Sequence, residues 1–180
     1  CEFFGEAVAR SLSEQGRKAD VMHANNVLAH VPELNDFVAG FAAMLKPTGV
    51  AVIETPYLRD LLEKLEFDTI YHEHLFYYSL TALTKLFERH GLVVADLEQL
   101  PIHGGSLRLF VRPQNAPNLQ VTDRVRDLLA EEQNWGVDKL APYQKFAREV
   151  AELREKLNSF LGQLRSENKR IAVYGASAKG

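Results

Sequence analysis

An α/β fold is predicted by three observations. Two apolar runs, ADVMHANNVL at 19–28 and VAVI at 50–53, flank one helix-spaced segment, so strand, helix and strand follow one another at the spacing of a βαβ unit with a right-handed crossover. The run at 50–53 is continuously apolar, as in a strand covered on both faces. Two further strand-like runs, 92–97 and 106–111, are joined by a short loop holding Pro101, His103, Gly104 and Gly105, which suits an antiparallel pair. The expected sheet is mostly parallel and finishes in that pair.

The other elements follow in order. Residues 4–15 have helical spacing, with Val8, Ala9 and Leu12 on one side and Gly16 as the stop. Pro32-Glu33 opens a helix running to Leu45, whose stripe is Leu34, Phe37, Val38, Phe41 and Leu45, and Lys46-Pro47-Thr48-Gly49 ends it. A short helix is expected over 57–65. Ser79 can cap the next helix, which buries Leu83, Leu86 and Phe87 and stops at Gly91. After a polar linker at 113–120 come two helices, 121–133 and 142–166, split near Trp135-Gly136. The second carries Phe146, Val150, Leu153, Leu157, Phe160, Leu161 and Leu164 at three- and four-residue intervals, which suits an amphipathic arm. The chain opens without an initiator methionine, and 171–180 read as a strand entering a glycine turn, so the sequence reads as part of a larger protein. The expected units are 1–112, the later portion of a sheet domain; 113–169, linker and helical arm; and 170–180, the first strand and turn of a second α/β domain.

At 180 residues and a net charge of −3, with 46% apolar and 25% charged residues, the chain has no field to gather nucleic acid or anionic lipid. No apolar run approaches the roughly 20 residues that span a bilayer. One cysteine permits no internal disulfide, and the start lacks a secretory signature, which together point to the cytoplasm. A monomer or weak homo-oligomer is expected.

The segment Asp68-Thr69-Ile70-Tyr71-His72-Glu73-His74 concentrates a phenol, two imidazoles and a carboxylate, groups that move protons near neutral pH. Extended, it would place Tyr71 with Glu73 and His72 with His74. In a helical turn, Tyr71 and His74 share a face. Three roles fit the residue types: proton transfer, a structural polar turn, or metal binding. Against the last, adjacent ligands would strain simultaneous ligation and no helical His-Glu-x-x-His is present. Asn25, Asn26 and His30 follow the first strand, where open sheets take ligands, although the asparagines also suit an Asx-type turn. Glu54 at the end of an apolar strand is either a ligand contact or one half of a structural pair. Arg108 is either solvated or partnered with an acidic group. The glycines at 104 and 105 permit positive φ or close backbone approach. Gly175 to Gly180 lacks the spacing of a nucleotide fingerprint.

Taken together, ANNVLAHV at 24–31, Glu54-Thr55-Pro56-Tyr57, FDTIYHEHLFYYS at 67–79 and HGGSLR at 103–108 resemble the S-adenosylmethionine-dependent C-methyltransferases of nucleotide-linked keto-deoxysugars, and GASAKG at 175–180 resembles the opening of that family's C-terminal domain. The resemblance implies a partial Rossmann-like class I methyltransferase sheet, with S-adenosyl-L-methionine as cofactor and a nucleotide-linked keto-sugar as substrate. Zinc is expected only in an N-terminal domain that this chain lacks. It implies His74 as general base with Tyr71 and Glu73 beside it, and His103 as a further substrate or acid-base residue. Asn25, Asn26 and His30 become cofactor contacts. The implied reaction removes a proton next to a ketone, forms an enolate and attacks the sulfonium methyl. O- or N-methyl transfer, or an inactive binding or assembly module, are the alternatives.

Overall fold

The structure is a computed structural model and describes residues 2–174. Its elements are α1 (Glu6–Glu14), β1 (Ala19–Asn25), α2 (Leu34–Met44), β2 (Leu45–Pro56), α3 (Leu58–Glu63), α4 (Leu80–Glu88), β3 (Leu92–Leu100), β4 (Ser106–Pro113), α5 (Asp123–Trp135) and α6 (Ala141–Ser166). Two 3₁₀ turns, Leu28–His30 and Phe67–Thr69, sit in the connections that follow β1 and α3. The fold is α/β, as the sequence predicts.

The four strands lie in the order β1-β2-β4-β3. β1 and β2 run parallel, joined by the α2 crossover. β4 lies antiparallel to both β2 and β3. The expectation of a mostly parallel sheet is therefore corrected for this segment, which holds one parallel pair and two antiparallel ones. The short turn at 101–105 forces β3 and β4 to be antiparallel neighbours, and β4 rather than β3 takes the place beside β2.

β2 also begins earlier than expected. α2 ends at Met44, Leu45 is already extended, and 46–49 belong to the strand rather than to a separate turn. Leu45 pairs with Ala19 before a register shift, and Lys46 meets Asp20 at 2.7 Å.

Local chemistry explains the helix limits. The Glu6 amide at the start of α1 donates to Asp36 Oδ1 at 3.1 Å. Ser79 Oγ accepts from the Ala82 amide at 3.1 Å, the cap expected from the sequence. Gly136, at φ 87°, ends α5 in the left-handed conformation that glycine adopts without a Cβ penalty.

One contiguous core joins Ile53, Leu107, Leu109 and Val111 of the sheet to Val38 and Phe41 of α2, Leu83 and Phe87 of α4, and Val125 and Leu128 of α5. Phe4, Phe37 and Phe41 add an edge-to-face cluster with centroids 5.2–5.7 Å apart. α6 is the helix expected at 142–166, and Leu153, Leu157 and Phe160 are exposed along it. Residues 169–174 form no strand among the described residues, because no neighbouring strand pairs with them there. The GASAKG turn lies outside the described residues. No helix among the described residues is long and apolar enough to cross a membrane.

Candidate active site

A cleft of about 510 Å³ opens where β1 and β2 end and the chain from Phe67 to Tyr78 passes over them. Its walls include Asn26, His30, Thr55, Tyr71, His74 and His103. Parallel neighbours ending side by side produce such a crevice, because each chain turns away from the sheet there.

Several connections hold the covering segment. The Leu75 amide donates to Ala29 O at 2.8 Å, Tyr78 OH donates to Leu28 O at 2.9 Å, and the Leu58 amide donates to Tyr78 O at 2.9 Å. Between these anchors the chain turns tightly, with the His74 amide donating to Tyr71 O at 3.0 Å. The turned arrangement of the Tyr71 cluster is therefore the one adopted, and it brings the Tyr71 and His74 rings into tilted contact with centroids 4.3 Å apart.

His74 Nδ1 lies 2.9 Å from Thr69 O. A carbonyl only accepts, so Nδ1 carries the hydrogen and Nε2 keeps a lone pair in the neutral ring. Tyr71 OH stands 3.1 Å from Nε2 and donates to it. An imidazole with one nitrogen tied to a backbone carbonyl and the other facing a phenol in a cleft is arranged to accept a proton at Nε2.

His30 lines the same cleft, its ring 4.9 Å from that of His74. His103 enters from the opposite turn at φ 51°, followed by Gly104 at φ 81° and Gly105 at φ 147°. This turn is fixed by the Tyr57 amide donating to Gly105 O at 2.9 Å and by the Lys64 ammonium on Gly104 O. The close approach expected of these glycines is present: a Cβ at Gly104 would collide with the Glu66 carboxylate, and one at Gly105 with that of Asp60.

Not every candidate converges. Asn26 lines the cleft, with φ 54° and its amide on Glu54 O at 2.8 Å, whereas Asn25 pairs in register with Glu54 and is not among the lining residues. Glu73 does not line the cleft; its exposed carboxylate lies 4.0 Å from exposed His72. Two imidazoles and a carboxylate of the 71–74 run thus do not meet at one point. Among the described residues no group of three or more histidine, cysteine, aspartate or glutamate side chains is placed to hold a metal ion. Glu54 is almost completely buried and pairs with Arg108 at 3.0 Å, and Arg108 reaches Glu98 at 3.1 Å, so these residues form a cross-strand charge pair rather than a ligand contact.

Burial at the cleft adds two features that spacing alone does not give. Asn26 Oδ1 and Thr55 Oγ1 are buried without a hydrogen-bond partner, and both residues line the cleft. Such orphaned groups are costly, about 1–3 kcal/mol each, and concentrate where function requires them. Burial, with the negative charge of Glu132 adding to it, pushes the Tyr57 phenol far above its ordinary range. Glu66 also lines the cleft, and burial raises its carboxyl, Lys64 opposing and Asp60 and Asp68 reinforcing the shift. The lining acids Glu66 and Asp68 face no lining lysine or arginine.

In an α/β fold, a crevice at adjacent strand ends is where ligands bind. Residues 2–97 match a family model described as a methyltransferase domain, and the chain belongs to that family. Residues 101–180 match a second model, the C-methyltransferase C-terminal domain. C-methyltransferase NovU of Streptomyces niveus is 34% identical over 177 residues, covering 98% of this chain and 42% of that protein. The chain therefore spans less than half the length of this curated relative. Among solved structures, the PH0226 protein of Pyrococcus horikoshii OT3 aligns at TM-score 0.44 and 21% identity over 58% of this chain and 56% of that one. The M1.HpyAVI-SAM complex aligns at 0.39 and 18% over 64% and 55%.

Proposed function

We propose that the protein to which this chain belongs is an S-adenosylmethionine-dependent C-methyltransferase acting on a nucleotide-linked keto-deoxysugar, with His74 as the base. The carrying observation is the His74 ring, held through Nδ1 by Thr69 O and presenting Nε2 to the cleft beside Tyr71. The family match and the C-methyltransferase relative support the reaction class.

The unpartnered Asn26 Oδ1 and Thr55 Oγ1 fit a polar cofactor at the ends of β1 and β2. When bound, S-adenosylmethionine supplies an electrophilic methyl group on a sulfonium sulfur. The residues of this chain do the rest. His74 Nε2 takes the proton from the carbon next to the ketone, and the carbanion charge moves onto the ketone oxygen. Nε2 has a single lone pair, so the Tyr71 hydroxyl hydrogen swings off it toward the ketone oxygen when substrate binds, and the Tyr71 oxygen accepts from Nε2 once Nε2 is protonated. The hydrogen bond from Tyr71 to the developing enolate is a contact of a few kcal/mol. His103, on the facing turn, contacts the substrate. Asn26, which lines the cleft, would contact the cofactor, whereas Asn25 does not line it; Glu73 acts only through the backbone of the turn.

The test is product NMR after reaction of the intact protein with a ¹³C-methyl-labelled cofactor and a nucleoside-diphosphate keto-deoxysugar. A new methyl bonded to carbon is expected. A methyl on oxygen or nitrogen would overturn the reading.

A further inference from the structure

The Tyr71–His74 turn is moored at two points to the 3₁₀ turn Leu28–His30 that follows β1. One is the Leu75 amide on Ala29 O at 2.8 Å. The other is a side chain: His30 Nδ1 lies 2.8 Å from Glu73 O. A carbonyl cannot donate, so Nδ1 of His30 carries the hydrogen and gives it to that carbonyl. Glu73 O belongs to the residue immediately before His74. This bond therefore fixes the peptide plane from which the His74 side chain departs. The His30 ring also packs against that of His74 with centroids 4.9 Å apart, limiting its swing on that side.

We propose that His30 is a positioning residue for the base rather than primarily a cofactor contact: through Glu73 O and its ring face it keeps His74 Nε2 and Tyr71 OH in register. The inference rests on the reading of His74 as base. Its geometry explains why an imidazole stands at 30. Nδ1 is the ring atom that reaches a carbonyl across the gap, and the flat ring supplies the packing face. Asparagine places an amide nitrogen near where Nδ1 sits, so His30→Asn preserves the donor while removing the ring, and His30→Ala removes both.

The intact protein is tested with S-adenosylmethionine and a nucleoside-diphosphate keto-deoxysugar, alongside hydrogen exchange of the Leu75 amide in the resting protein. His30→Ala is expected to speed Leu75 exchange about 3- to 10-fold, the ratio for losing one neutral hydrogen bond. It should lower kcat by a similar or larger factor with the cofactor KM unchanged. His30→Asn should recover most of the Leu75 protection and part of kcat. The inference is overturned if His30→Ala leaves Leu75 exchange unchanged. It is equally overturned if both variants raise the cofactor KM at constant kcat, the signature of direct cofactor contact. Failure of the base reading is separable, because it shows as full turnover by His74→Asn and leaves the Leu75 exchange result intact.

Discussion

Replacing Glu132 by alanine should loosen the junction that carries the cleft segment into α4. Glu132 is fully buried on α5, 52 residues in sequence from the group it serves. Its carboxylate accepts from the Leu80 amide at 2.6 Å, the Thr81 amide at 2.7 Å and Thr81 Oγ1 at 2.5 Å. The two amides are first-turn donors of α4, which have no partner within the helix. A hydrogen bond to a charged group contributes about 1.5–3 kcal/mol. The three share one side chain, so their contributions do not add. Removing a buried carboxylate also relieves its desolvation, which offsets part of the loss. The net expectation for Glu132→Ala is a loss of about 3 kcal/mol, and for Glu132→Gln, which keeps one acceptor oxygen, about 1–2 kcal/mol. Urea unfolding followed by circular dichroism measures both, with the midpoint moving at constant slope. In a thermal scan the alanine variant should melt roughly 6–12 °C lower. A loss below about 1 kcal/mol in the alanine variant would refute the claim that this carboxylate ties α5 to the start of α4.

Three further outcomes are expected. Gly105→Ala should lose at least about 1–3 kcal/mol and weaken substrate turnover, because φ 147° suits glycine and a Cβ would strike the Asp60 carboxylate; an unchanged melting temperature would contradict this. Asp96 is opposed by burial, but its bonds from Thr122, Arg124 and the Leu97 amide hold its carboxyl below the usual range. A depressed folded value means that its contribution is complete above the ordinary carboxylate range of about 4 and is lost as pH falls through the folded value. Asp96→Asn should therefore flatten the acid limb of the stability–pH curve, and an unaltered acid limb would contradict it. Tyr71→Phe, which keeps the ring and removes the hydroxyl from His74 Nε2, should lower kcat about 10²-fold with binding retained, as measured by turnover and cofactor titration.

Local signals in the sequence reached a long way into the fold. Ser79, Gly136 and the glycine turn at 104–105 announced a cap, a helix end and a hairpin, because each acts within a few residues of itself. The pairing of Tyr71 with His74 was also legible once the segment was allowed to turn, since a three-residue spacing brings two side chains onto one face. Strand order was not, because nothing local states that β4 inserts between β2 and β3. The clamp by Glu132 was likewise hidden: a glutamate on an amphipathic helix looks solvated until its partner 52 residues away is known. Glu73 shows the opposite error. Its carboxylate looked like part of the cluster by adjacency, yet the turn that joins Tyr71 to His74 leaves it exposed beside His72. His30 follows β1 in the 3₁₀ turn Leu28–His30, and its bond to Glu73 O depends on a tertiary approach that no spacing encodes.

The most direct test of the central claim separates proton removal from methyl transfer. The intact protein, holding the demethylated cofactor product, is incubated with a nucleoside-diphosphate keto-deoxysugar in deuterated water, and deuterium entering the carbon next to the ketone is followed by NMR. With the wild-type chain, exchange is expected without any methylation. With His74→Asn it should slow by roughly 10²- to 10⁴-fold while the substrate still binds. Exchange by His74→Asn at the wild-type rate would contradict the assignment of His74 as the base.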